Sequence, residues 1–243
     1  MTILYHWEPN GASARTLIAL YEKGVPFETR YVDLPAFEQF GSDFLALDPA
    51  GDVPVLVQDG AVFTDASALC EYIDEAFAGP PLLPSDPLGR WKARGWQKYV
   101  DDYLAAATSE LAWAAYGHEV DAEGIDRIPT HEQRSVWREA LAGYDDARLK
   151  QAEERVTLAL GKADEALADA PWLAGDSFTL ADIASFAYLN YAPRLLPGLV
   201  GARTADWLRR VAGRPATSEA LGMGRAADPF AIAAPGPERV RWG

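Results

Sequence analysis

In the stretch YHWEPNGASARTLIALYEKG, residues 5–24, one hydroxyl falls where a strand gives way to a helix, that of Ser13. Thr2, Ile3, Leu4 and Tyr5 read as the strand, while Ala14, Leu17, Ile18 and Tyr21 recur at helical spacing until Gly24 ends the run. A helix start presents free backbone N–H groups and the positive end of the helix dipole, so it favours an anion, and a hydroxyl there can donate to the same charge. The competing reading is that Ser13 is only the N-cap, a position that serine favours. His6, at the strand end beside this turn, reads either as a structural residue or as a group acting on a substrate. Cys70 follows Leu69 inside a helical pattern and reads as a buried small hydrophobe rather than a nucleophile. His6, His118 and His131 are too scattered for a metal motif, so no metal is expected.

The elements that must position these groups divide into two grammars. Residues 26–34 (PFETRYVDL), 53–58 (VPVLVQ) and 61–64 (AVFT) read as three further strands, with Asp59-Gly60 a tight-hairpin signal between the last two. DASALCEYIDEAF then places Leu69, Tyr72, Ile73 and Ala76 on one helix face. This is a small α/β sheet domain, assigned to residues 1–78. AGPPLLPSD cannot continue a helix and reads as a linker over 79–86. Residues 87–243 are helical text: Trp96, Tyr99, Val100 and Tyr103 share one face, and Leu149, Val156, Leu160, Ala163 and Leu167 form a stripe on another. EVDAEGIDRIPTHEQ between them reads as an exposed connection. Thr179-Leu-Ala-Asp182 matches a capping box, with Phe178 as its apolar staple. The closing PGPERVRWG is expected either to fold over a pocket or to fray.

The 243 residues, 49% of them hydrophobic, suffice for a proper core. A formal charge of −14 argues against nucleic acid or an anionic membrane surface as the main partner. The single cysteine excludes an internal disulfide framework and fits a reducing compartment. With no leader-like stretch and no apolar run of membrane-spanning length, the cytoplasm is the expected location.

Five segments in this order resemble the cytosolic glutathione S-transferase superfamily: the Ser-bearing turn after the first strand, LDPAGDVPVLVQDG, FTDASALCEYID, FTLADIASFAYL and WLRRVAGRPA. Within it, LYEKG, FEQF and CEYIDEAF look most like the bacterial β-etherases, which cleave β-aryl ethers of lignin-derived aromatics. The resemblance implies a thioredoxin-like N-terminal domain, an all-α C-terminal domain, glutathione as co-substrate, and a dimer, either of identical chains or of two different ones. It implies that Val53-Pro54 has a cis proline whose preceding backbone pairs with the cysteinyl part of glutathione. Asp65, Ala66 and Ser67 would hold the γ-glutamyl end, and Ser13 would stabilise the thiolate. Trp7, Trp113 and Tyr116 would line the aromatic-substrate pocket. Arg15 would pair with a glutathione carboxylate or be solvated, the latter being the plainer reading.

Three positions depart from the family pattern. Ala66 stands where a serine hydroxyl is usual, Asp52 where Gln or Lys is usual, and Ala12 where the β-etherases carry an amide side chain. The leading expectation is therefore a glutathione-dependent attack on an aromatic electrophile, with β-aryl ether cleavage foremost. The alternatives are a non-catalytic binding module, the inactive half of a heterodimer, or another glutathione reaction such as isomerisation or dehalogenation.

Overall fold

The computed structural model describes residues 1–117, 120 and 122–234. His118 and the closing PGPERVRWG segment, 235–243, lie outside the described residues.

β1 (Thr2–His6) is the strand on which the rest of the sheet is laid. It pairs in parallel with β2 (Glu28–Tyr31) and antiparallel with β3 (Val55–Gln58), and β3 pairs antiparallel with β4 (Ala61–Phe63), giving the order β2-β1-β3-β4. The β3–β4 hairpin turns on Asp59 and Gly60, both at positive φ (50° and 89°), as the Asp-Gly pair demands. Parallel β1 and β2 need a crossover, which α1 (Gly11–Glu22) provides. α3 (Ala66–Ala76) follows the hairpin. A short helix, α2 (Ser42–Leu45), lies in the segment between β2 and β3.

α4 (Pro87–Tyr99) opens the helical half; Asp86 caps it and Pro87 occupies the first position, where its missing N–H costs nothing. α4 continues without a break through one π turn (Val100–Leu104) into α5 (Ala105–Tyr116). Then come a 3₁₀ turn (Ala122–Arg127), α6 (His131–Ala142), α7 (Asp146–Asp169), α8 (Leu180–Leu189), α9 (Ala192–Leu195), α10 (Ala202–Ala212) and α11 (Pro215–Leu221). α1 packs against α3, α8 and α11, so sheet and bundle share one core through Leu17, Ile18, Leu69, Ile73, Phe186 and Trp207.

The connection read as exposed differs from expectation. Ile125 and Ile128 are buried with Phe37, Phe40 and Trp137 in a second, smaller core. Gly124 admits this packing, because a Cβ there would overlap the Phe37 ring. α6 begins inside the same stretch, capped by Thr130, whose hydroxyl accepts the Gln133 N–H at 3.2 Å. The Thr-x-x-Gln spacing was the available signal for it.

Candidate active site

α1 starts differently from a conventional capped helix. Asn10 occupies the cap position in extended backbone (φ −129°, ψ 170°) but its side chain makes no capping bond. Its amide donates instead to the carbonyls of Pro229 (2.5 Å) and Ile232 (3.2 Å), in the segment that returns across the sheet domain after α11. Ser13 is the third helical residue and not the cap, so the plain N-cap reading fails. Its buried hydroxyl accepts the Trp7 backbone N–H at 3.1 Å, which leaves its own proton available to donate. The first-turn amides have no carbonyl four residues back to bond, and no acidic side chain stands in that turn to satisfy the dipole.

This helix start opens into a cleft of about 360 Å³ lined by both halves of the chain. Val53, Pro54, Asp65, Ala66 and Ser67 all border it, as do Trp7 and Ser13. The Val53–Pro54 peptide bond is cis. Asp65 caps α3, accepting the Ala68 N–H at 2.9 Å, and does so at φ 68°, ψ 112°, a conformation costly for any residue but glycine. Asp52 lines the cleft too, and its own N–H donates to the Asp48 carboxylate at 2.9 Å.

Arg15 is 2% exposed, not solvated. Its guanidinium pairs with Asp101 at 2.5 Å and donates to the Ser67 hydroxyl, which in turn donates to Asp101. Asp101 reaches the site because it sits on the π turn, where one extra residue per turn rotates the helix face. Apolar periodicity carries no signal for such a turn, so sequence reasoning could not have found this triad. Asp52, Asp65, Asp101 and Asp102 also line the cleft, so carboxylates outnumber the Arg15 cation there, a setting that suits a ligand carrying an ammonium group.

The aromatic lining also departs from expectation. Trp7 borders the cleft, but Trp113 and Tyr116 do not: the Trp113 indole donates to the Ala140 carbonyl at 2.9 Å and its ring meets Trp137 edge-on, 6.3 Å away. Trp137, one layer closer, takes the lining position together with Phe40, Tyr188 and Tyr191. The short core that brings Phe40 and Trp137 together was invisible while the 119–133 stretch read as solvent-exposed.

His6 and Cys70 are structural. His6 Nδ1 donates to the Trp7 carbonyl at 2.5 Å, its ring lies edge-on to Tyr31, and burial lowers its pKa, which keeps the imidazole neutral. Burial pushes the Cys70 thiol up to about 11, with the neighbouring Arg15 only partly offsetting it. Among the described residues no group of His, Cys, Asp and Glu is placed to hold a metal ion, and no helix is long and apolar enough to cross a membrane.

Fold and site together define a class. Residues 12–76 match the model of the glutathione S-transferase N-terminal domain and residues 104–215 that of the C-terminal domain. The chain belongs to the glutathione S-transferase family, whose co-substrate is glutathione. It is 33% identical over 239 residues to the protein LigF of Sphingobium sp. (strain NBRC 103272 / SYK-6), covering 89% of this chain and 91% of LigF. The crystal structure of β-etherase LigF superposes with a TM-score of 0.84 at 32% identity, over 91% of this chain and 98% of that one. A theta-class glutathione S-transferase from Xanthomonas axonopodis pv. citri, solved with glutathione bound, matches with a TM-score of 0.70 at 25% identity over 90% of this chain and 96% of that one. FtsZ-localized protein A of Caulobacter vibrioides is 30% identical over 77% of this chain and 75% of its own length.

Proposed function

We propose that this transferase cleaves β-aryl ethers. Glutathione thiolate, held at the open start of α1 beside Ser13, attacks the carbon that bears an aryloxy group next to an aryl ketone. The C–S bond forms as the C–O bond breaks, and the electron pair leaves on the aryloxide, which takes up a proton to give a free phenol and a glutathione thioether. Ser13 and the helix amides favour the thiolate over the thiol, whose ordinary pKa is near ~8.5. Val53 backbone groups align the cysteinyl part, and Asp65, the Ala66 amide and Ser67 hold the γ-glutamyl end, with Arg15 and Asp101 fixing Ser67. Trp7, Phe40 and Trp137 enclose the aromatic rings, and holding both reactants in line supplies much of the rate. We read the active species as a dimer working in the cytoplasm.

The observation that carries this reading is the uncapped α1 start with Ser13 facing a cleft walled by aromatic side chains. The likeness to LigF over nearly the full length supports the choice of substrate. Incubating the protein with glutathione and each enantiomer of a fluorogenic β-aryl ether tests it. Glutathione-dependent phenol release from one enantiomer is the expected result; no release from either at saturating glutathione would rule the chemistry out.

A second reading, a binding module without turnover, is favoured by Asp52, whose carboxylate lines the cleft beside Val53, where an anionic tripeptide would lie. Calorimetry beside the turnover assay separates the two: saturable glutathione binding without phenol release favours the binding module, and binding with release counts against it.

A further inference from the structure

After α11 the chain returns over the start of α1, and both halves of the molecule hold it there. The buried Glu8 carboxylate accepts the backbone N–H groups of Arg225 and Ala226 at 3.0 and 3.2 Å. Gly224 permits this approach, because a Cβ there would lie 2.2 Å from the Glu8 carboxylate. From the helical half, Arg194 pairs with Asp228 at 2.5 Å, and the buried Phe230 ring meets Phe186 and Tyr191 edge-on.

The two halves meet on one atom. The Ile232 carbonyl oxygen accepts from Asn10 Nδ2 of the sheet domain at 3.2 Å and from Tyr191 Oη of the helical half at 3.0 Å, which uses both of its lone pairs. The same Asn10 amide donates to the Pro229 carbonyl at 2.5 Å. Ala233 and Ala234 follow directly and line the cleft, as Asn10 and Tyr191 do. A carbonyl clasped from two sides fixes the peptides that follow it, so these bonds set where the Ala233–Ala234 wall stands. Asn10 has the residue type and the extended backbone of a helix cap, yet its side chain is turned to this segment instead. The bonds and ion pairs of the segment run to Glu8, Asn10, Tyr21, Asp33, Tyr191 and Arg194, whereas glutathione is proposed to lie along residues 53–67.

We propose that Asn10 and Tyr191 are positioning residues for the second substrate: by clasping the Ile232 carbonyl between the two halves they hold Ala233 and Ala234 as a wall of the aromatic part of the cleft, and their loss weakens aromatic binding without weakening glutathione. The division of the cleft into a glutathione part and an aromatic part rests on the transferase reading above, and it does not require that the ether be cleaved. Alanine at both wall positions leaves room for a ring, which a bulkier side chain would fill.

Calorimetry tests this with two ligands that do not react: glutathione, and S-benzylglutathione, whose ring extends beyond the sulfur into the place of the second substrate. Wild type should bind the benzyl conjugate about tenfold or more tightly than glutathione, through burial of the ring. Asn10→Ser keeps a good helix cap but cannot reach the two carbonyls, so it should cut that preference about threefold to tenfold with glutathione affinity within about twofold of wild type. Tyr191→Phe, which loses one of the three bonds, should cut it about twofold to fivefold, and decides alone should Asn10→Ser fail to fold. Ala234→Leu, with the clasp intact, should also cut it, because the added bulk takes space from the ring. Equal affinity of wild type for the two ligands, or a preference unchanged in Asn10→Ser, would overturn the proposal. So would a loss falling equally on glutathione and the conjugate, which would make Asn10 a support of α1 itself. A preference cut in Asn10→Ser, in a protein that releases no phenol from any ether, would uphold the clasp while overturning ether cleavage; phenol release with the preference unchanged would do the reverse.

Discussion

Two buried helix starts in this molecule are built in opposite ways. At α8, Thr179 caps the Ala181 N–H at 3.2 Å, and Asp182 accepts four bonds: the Thr179 N–H and hydroxyl on one oxygen, the Leu173 N–H and the Trp207 indole on the other. At α1, Asn10 turns its amide away to the returning segment, the first turn carries no acid, and the neighbouring Trp7 and Tyr188 donors stay unpartnered. The same segment is anchored a second time by Glu8, which accepts the Tyr31 hydroxyl and the Arg225 and Ala226 amides. The α8 start is closed by its own side chains. One left open beside a cleft is where an exogenous anion can supply the missing charge.

The comparison breaks most severely at Asp182. Asp182→Ala leaves several buried donors without an acceptor and should cost about 3–5 kcal/mol in denaturant unfolding, with little change in glutathione affinity of the surviving fold. Burial pushes the Asp182 carboxyl up to about 6 although its four donors pull it down. Its folded pKa thus lies above the unfolded one, so its contribution to stability is full below about pH 4 and is lost as pH rises through about 6. Asp182→Asn, which cannot titrate, should flatten that part of the stability–pH curve relative to wild type.

At α1 the expected loss falls on chemistry. Ser13→Ala should lower turnover about 10- to 100-fold, the effect of one charge-assisted hydrogen bond, while costing only about 1 kcal/mol of stability through the orphaned Trp7 N–H. Unchanged turnover would reduce Ser13 to a packing residue. Asp52→Gln should tighten glutathione about threefold to thirtyfold, most strongly at low salt, because Asp52 lines the cleft proposed for the anionic tripeptide and like charges separated by an assumed distance of about 6 Å repel, with solvent screening only part of the effect. A weaker affinity would instead make Asp52 a supporting group of the turn before Pro54. Smallest is Thr179→Ala, at about 0.5–2 kcal/mol of stability with glutathione affinity intact.

What the sequence made legible follows from how local each signal is. The four strands, the Asp-Gly hairpin, the Thr179–Asp182 box and the place of Ser13 at a helix start are all carried by neighbours within a few residues, and all appear in the structure. The fold class followed from the ordered family-like segments and is shared with LigF. What escaped depends on tertiary or irregular geometry. The π turn that presents Asp101 to Arg15 has no periodic signature. The exchange of Trp113 for Trp137 at the cleft depends on a core built from Phe37, Ile125 and Ile128, whose segments are distant in the chain. Asn10 stands at the α1 cap position, yet its amide is spent on carbonyls more than two hundred residues away, which no local pattern signals.

The open α1 start is tested most directly by the thiol pKa of glutathione bound to the protein, read from the ultraviolet absorbance of the thiolate across a pH titration. It should lie about one to two units below the ~8.5 of a free thiol, and Ser13→Ala should move it back upward. A bound thiol that titrates where free glutathione does, unchanged by Ser13→Ala, would contradict the assignment of α1 as the thiolate site.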